Sequence, residues 1–150
     1  MYSIGVDLGG TNIAVGIVDE NYKIVKKDSC PTLANRPAEE IIRDMVALCK
    51  RLCTDTGFDI TEANGVGIAC PGTVNPDTGI VEYANNIKFF DFPIVKLFSE
   101  YSGVDKANIV IGNDANLAAY GEAVAGAAKG ASSSVTITLG TGVGSGIIID

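Results

Sequence analysis

Tyr2-Ser-Ile-Gly-Val-Asp-Leu-Gly-Gly-Thr-Asn-Ile-Ala-Val-Gly-Ile-Val18 opens the chain and decides how the rest is read. Tyr2 to Asp7 alternates apolar with small or polar residues and ends on a carboxylate. Leu8 to Asn12 is turn chemistry built on Gly9 and Gly10. Ile13 to Val18 returns as a second strand rich in β-branched residues. Asp19-Glu-Asn21 supplies another turn, and Tyr22 to Ser29 a third strand. Links this short predict an antiparallel meander. A related pattern recurs near the other end, where Ile137-Thr-Leu-Gly-Thr-Gly142 is followed by Gly146-Ile147. Both stretches read strand, glycine turn, strand. The echo predicts one domain over residues 1–130. Residues 131–150 then read as the opening hairpin of a second, truncated domain.

Between the two hairpins the pattern changes period. Pro31 to Pro37 is a loop. Ile41, Ile42, Met45, Val46, Leu48, Cys49, Leu52 and Cys53 keep helical spacing until Gly57, after a start with Glu39 and Glu40 in the first turn. Asn64 to Ala69 is a short buried strand, and Cys70 to Gly79 a long turn-rich loop. Ile80 to Tyr83 reads as a short strand, Ala84 to Ile87 has no regular pattern, and Phe92 to Tyr101 is helical. Ile109-Val-Ile111 is a buried strand. Gly112 to Asn116 leads into an Ala-rich helix from Leu117 to about Ala128. Strand-to-strand links early and helical crossovers later predict a mixed sheet flanked by helices, an α/β fold.

The chain has 150 residues, 47% of them hydrophobic, enough for a core. Its formal net charge of −7, with no basic run, argues against nucleic acid or an anionic membrane surface as partner. No apolar run approaches the ~20 residues of a membrane span. The first residues lack the basic start and apolar stretch of a signal peptide, so a cytoplasmic location is expected. There is no histidine. Within these residues that excludes Ser-His-Asp and Cys-His catalysis and any His-ligated metal. Cys30, Cys49, Cys53 and Cys70 form no Cys-x-x-Cys pair and read as buried thiols. Cys70 has no base partner, which removes the case for a nucleophile.

Four segments carry chemistry. In Asp7 to Asn12, Gly9 and Gly10 allow a ligand to approach the backbone. Their N–H groups and the Thr11 hydroxyl suit a phosphate, and Asp7 suits Mg²⁺ through water. The plainer reading is a hairpin turn with a strand-end carboxylate. In Leu139-Gly-Thr-Gly-Val-Gly-Ser-Gly146, Gly140, Gly142, Gly144 and Gly146 exceed what a tight turn needs. Two such hairpins can clamp a nucleotide triphosphate. Gly112-Asn-Asp-Ala-Asn116 joins a strand to a helix, at the strand's carboxyl end where α/β sheets collect ligands. Asp114 there is a candidate general base toward a hydroxyl, oriented by Asn113; either residue is equally a helix N-cap. Gly72 offers backbone approach, and Asn85 and Asn86 offer amides suited to sugar hydroxyls, or all three are turn residues.

Taken together, Asp7 to Asn12, Gly65-Val-Gly-Ile-Ala-Cys-Pro-Gly-Thr-Val-Asn75, Ala84-Asn-Asn-Ile87, Gly112 to Asn116 and Thr138 to Ile147 resemble the ROK family. Within that family they are most similar to the bacterial glucokinases. The resemblance implies an actin-like ATPase fold with a ribonuclease-H-like core, a mixed five-stranded sheet and flanking helices. It implies ATP-dependent phosphorylation of a hexose at its 6-hydroxyl, with Asp114 as catalytic base. Asn113, Asn85, Asn86 and the Gly72 backbone become sugar contacts. Asp7, Gly9, Gly10, Thr11 and Asn12, with Gly140, Thr141, Gly142 and Gly144, become phosphate contacts, and Mg²⁺ is met by Asp7 through water. Family kinases continue with a Glu-x-Gly-His sugar segment and a Cys-rich motif, so structural zinc is expected only in the missing C-terminal half. The chain as given is expected to be inactive and to pair with another copy, or a neighbour, through its exposed last hairpin. A sugar-responsive ROK regulator carries an N-terminal helix-turn-helix, whereas the first strand here starts at Tyr2. Mannose, fructose, allose and N-acetylmannosamine kinases share the same motifs.

Overall fold

The structure, a computed structural model, describes residues 1–140 and 142–149. The chain divides into two compact units, Met1–Gly112 and Asn113–Asp150. The first begins with β1 (Ser3–Leu8), β2 (Asn12–Val18), β3 (Ile24–Pro31) and α1 (Ala38–Thr56). It continues with β4 (Val66–Cys70), β5 (Thr73–Asn75), β6 (Ile80–Ala84), β7 (Phe89–Phe92), α2 (Ile94–Ser102) and β8 (Ile109–Asn113). Five strands form one sheet in the order β3-β2-β1-β4-β8. The β1–β2 and β2–β3 pairs are antiparallel and β1–β4 is parallel. This is the mixed five-stranded sheet expected from the sequence. A separate three-stranded antiparallel sheet holds β5, β6 and β7.

Alternation along the strands puts the core on one face. Ile4, Val6 and Leu8 of β1, Ile13, Val15 and Ile17 of β2, and Val66, Ile68 and Cys70 of β4 are all buried. The α1 stripe from Ile41 to Cys53 is buried in the same hydrophobic cluster. Each such side chain contributes roughly 1.5–3 kcal/mol on burial. Glu39 and Glu40 meet the positive end of α1, and Gly57 closes it at φ 93°, where its N–H reaches the Cys53 and Thr54 carbonyls. The opposite face carries small or polar residues such as Gly5, Asp7 and Ala14, all exposed.

The structure departs from the sequence reading where local chemistry overrides periodicity. β3 starts at Ile24 rather than Tyr22. Tyr22 is left-handed at φ 61°, in a turn whose Asp19 carboxylate accepts N–H bonds from Asn21 and Lys23 at 2.9 Å each. The turn-rich stretch after Cys70 contains the short strand β5, and Phe89–Phe92 forms β7 ahead of the α2 helix. Cys49, Cys53 and Cys70 are buried and Cys30 partly so, all as free thiols.

The second unit consists of α3 (Asp114–Ala125), β9 (Ser133–Leu139) and β10 (Val143–Ile149). Asn113 caps α3, so the helix begins three residues before Leu117, and Gly126 ends it. β9 and β10 pair antiparallel, as β1 and β2 do. The small and polar side of the hairpin meets α3. A side chain at Gly144 would run into Ala115, and one at Gly146 into Ala119 and the Ala115 carbonyl. The apolar side faces outward, with Val135, Ile137, Leu139, Val143, Ile147 and Ile149 all more than 60% exposed. Among the described residues no helix is long and apolar enough to cross a membrane.

Candidate functional site

In the first unit the site starts from strand direction. β1 and β4 run parallel with Asp7 beside Ala69, so the turns at Gly9–Gly10 and Pro71–Gly72 leave the sheet at one edge. Asp7 is exposed on the face away from the core. The Gly9 N–H donates to the Asn12 carbonyl at 2.9 Å and closes the turn, with Thr11 and Asn12 exposed. Gly10 lies directly against Asn86, whose Cβ is 3.1 Å from where a Gly10 side chain would begin. Gly72 has φ 87°, and a Cβ there would overlap the Tyr83 carbonyl oxygen. The chain therefore crosses the end of β6 with no room for a side chain. From β6 it runs straight into a 3₁₀ turn at Asn85–Ile87. Ile87 is buried and pins that turn, while Asn85 and Asn86 stay exposed. Lys88 follows at φ 53°, and its ammonium donates to the Asn35 side-chain oxygen at 3.0 Å.

One unit thus brings together Asp7, Gly9, Gly10, Thr11 and Asn12 with Gly72, Asn85 and Asn86. The glycine turn, of a kind whose N–H groups can meet a phosphate, lies against the Cβ and main-chain carbonyl of Asn86, and the exposed Asn85 and Asn86 carry amides of a kind that can read hydroxyls. Among the described residues no cluster of three or more His, Cys, Asp or Glu side chains is placed to cage a metal. A strand-end carboxylate fits Mg²⁺, which keeps several waters and takes other ligands from phosphate oxygens.

In the second unit Asn113 Oδ1 accepts from the Ala115 N–H at 3.1 Å and the Asn116 N–H at 3.3 Å. The cap role falls on Asn113. Asp114 is the first helical residue, exposed, with Oδ1 taking the Ala115 N–H at 2.8 Å. Gly140 and Gly142 frame the β9–β10 turn, closed by a 2.9 Å bond from Gly140 N–H to the Gly142 carbonyl. A Cβ on either would meet nothing within 4 Å. Gly144 lies inside β10, where its contact with Ala115 accounts for the missing side chain. Thr141 lies outside the described residues.

The sequence reading passed over Thr32. Its hydroxyl donates to the Gly9 carbonyl at 2.7 Å and its N–H to the Thr11 carbonyl at 2.8 Å. The hydroxyl bond reaches back over 23 positions of chain. Its only sequence signal is a hydroxyl in the loop before α1.

A sequence model of the ROK family matches residues 3–150. The chain belongs to the ROK family. Among ROK proteins it is 38% identical to a glucokinase of Thermotoga maritima, over 97% of this chain and 44% of that one. It is 39% identical to a glucokinase of Streptomyces coelicolor, over 98% of this chain and 43% of that one. A crystal structure of a ROK glucokinase from Streptomyces griseus, in complex with glucose and AMPPNP, superposes with a TM-score of 0.86 at 37% identity. That match covers 99% of this chain and 45% of the other. The fold is the actin-like ATPase fold of ROK kinases. The chain spans less than half the length of the curated relatives it matches.

Proposed function

We propose that this chain carries the sugar-binding and phosphate-binding part of an ATP-dependent hexose kinase acting on the 6-hydroxyl of glucose. The observation that carries the reading is the packing of Gly10 against the Cβ and main-chain carbonyl of Asn86, which sets a glycine turn beside the exposed residues Asn85 and Asn86. The similarity to glucokinases over 97–98% of the chain supports it. In this reading residues 1–130 are the first domain and 131–150 open the second.

Each residue then has a task. Asn85, Asn86, Asn113 and the Gly72 backbone hold the sugar hydroxyls. Asp114 accepts the proton of the 6-hydroxyl as that oxygen bonds to the γ-phosphorus of ATP, while the bond from that phosphorus to the β,γ-bridging oxygen breaks and ADP leaves. A carboxylate placed beside a hydroxyl can take its proton. The N–H groups of Gly9 to Asn12 and of Gly140 to Gly142, with the Thr11 hydroxyl, hold phosphate oxygens. Neither glycine turn contains Lys or Arg, so backbone dipoles do this work. Asp7 would hold Mg²⁺ through water, and the ion would supply positive charge beside the nucleotide phosphates.

The test uses the full-length protein with glucose, ATP and Mg²⁺, alongside mannose, fructose, allose and N-acetylmannosamine. Asp114→Asn is expected to lower turnover by about 10²–10⁴-fold. Glucose affinity by calorimetry should stay within about threefold. Turnover that survives the substitution would overturn Asp114 as base. Preference for another sugar in the panel would overturn glucose as substrate and keep the kinase.

A further inference from the structure

We propose that Thr32 is a positioning residue for the phosphate turn. It holds the Gly9 carbonyl inward and so aims the Gly10 N–H outward, and Arg36 and Asp44 hold Thr32 in place. The inference rests on reading Gly9 to Asn12 as a nucleotide-phosphate cradle.

Thr32 is fully buried, a rare setting for a hydroxyl; Ser102 is the other buried polar residue of the described chain. A buried hydroxyl needs a partner, and this one donates to the Gly9 carbonyl at 2.7 Å. A trans peptide is planar, with its C=O and the next N–H pointing in opposite directions. No cis bond occurs among the described residues. Tying the Gly9 carbonyl to Thr32 therefore turns the Gly10 N–H away from Thr32. The Gly9–Gly10 peptide is also the one in this turn most free to rotate, because neither residue has a Cβ. Rotated, it would present a carbonyl oxygen where an anion needs a donor. The Thr32 N–H bond to the Thr11 carbonyl, 2.8 Å, fastens the other side of the turn to the same loop.

Thr32 is itself held from behind. Leu33 is left-handed at φ 51°, and the Arg36 N–H returns to the Leu33 carbonyl at 3.3 Å. The Arg36 Nε then donates to the Thr32 carbonyl at 3.1 Å. Its guanidinium pairs with Asp44 of α1 at 2.6 Å, with the Arg36 side chain only 19% exposed. A continuous line of bonds runs from a helix packed in the core to the turn. No Arg or Lys enters the glycine turn, yet one fixes its geometry.

The experiment compares Thr32→Val, Thr32→Ser and Arg36→Gln in the full-length protein. Affinities for a non-hydrolysable ATP analogue and for glucose are measured by calorimetry, with KM for each substrate. Thr32→Val keeps shape and loses the donor. It is expected to weaken analogue binding by about tenfold or more and to raise KM for ATP. Glucose affinity should remain within about twofold. Thr32→Ser restores the donor and should restore analogue binding. Arg36→Gln should act in the same direction, by about threefold. Unchanged analogue affinity in Thr32→Val would overturn the proposal. So would a parallel loss of glucose affinity, or a failure of serine to rescue. If Thr32→Val does not fold, Arg36→Gln decides: wild-type analogue affinity there overturns it. If the wild-type protein binds the analogue but phosphorylates no sugar, the kinase reading falls while Thr32 is still judged by analogue affinity. If it binds no analogue, both fall.

Discussion

At the level of single residues, two glycines in one site are required for different reasons. Gly72 combines φ 87° with a backbone neighbour, Tyr83, that cannot move without dragging β6. Gly72→Ala is expected to destabilise the fold by about 2–4 kcal/mol, read as a lower denaturation midpoint. A Cβ at Gly10 would meet Asn86 alone, at 3.1 Å from its Cβ and 3.4 Å from its carbonyl oxygen, so Gly10→Ala should lower the midpoint clearly less than Gly72→Ala and weaken ligand binding as well. Equal effects on stability from the two variants would contradict that division. The thiols give a second prediction. Burial pushes the Cys53 thiol up to about 11 from its ordinary 9.0, and burial raises Cys49 as well. A group raised in the folded state contributes stability that is complete below its unfolded value and is lost as pH climbs toward the folded one. Stability should therefore hold to about pH 9 and decline between about 9 and 11. The check is denaturation across that range for wild type and for Cys49→Ala with Cys53→Ala, which should flatten the decline. An identical slope in both proteins would remove these thiols as its cause.

Among the elements, legibility followed the range of the forces involved. α1 was readable from its stripe and from Gly57, since both are local. β1 and β2 were readable from alternation. β5 and β7 were not, because strands of three and four residues carry too little periodicity and are fixed by their neighbours in the sheet. The apolar repeat of α3 starts only at Leu117, whereas the helix itself starts at Asp114 behind the Asn113 cap, one of the two cap residues legible in the sequence. Thr32 could not be foreseen at all, since its meaning lies in a carbonyl 23 residues away. The β9–β10 hairpin illustrates a legible pattern with a consequence. Its alternation puts Val135, Ile137, Leu139, Val143, Ile147 and Ile149 on one outward face. Each would yield roughly 1.5–3 kcal/mol on burial, so the isolated chain should associate through this face. Light scattering is expected to show species larger than a monomer, and Ile137→Lys with Ile147→Lys should return the monomer. A wild-type chain that stays monomeric at high concentration would count against the face as a contact surface.

For the whole molecule, the residues assigned to phosphoryl transfer belong to two compact units. Asp7 to Asn12, Gly72, Asn85 and Asn86 lie in Met1–Gly112, whereas Asp114, Gly140 and Gly142 lie in Asn113–Asp150. Phosphoryl transfer depends on position more than on reactive groups, and a displacement of about 1 Å can lower rate about 10²-fold. The second unit is small, a helix on a two-stranded sheet, and a lone hairpin is marginal in water without further packing. The curated relatives are more than twice as long as this chain, which covers 43–44% of them. The 150-residue chain, given glucose, ATP and Mg²⁺, is therefore expected to release sugar phosphate at less than about 10⁻³ of the full-length rate. Glucose binding should fall less steeply than turnover, because Asn85, Asn86 and Gly72 belong to the first unit, whose hydrophobic cluster takes in Val81, Ala84 and Ile87 beside them. Calorimetry on both proteins, beside a coupled assay, separates these losses. Turnover near the full-length rate would show that the two units hold the whole catalytic apparatus. Glucose binding lost as completely as turnover would show that the Asn86 edge is not where the sugar is held.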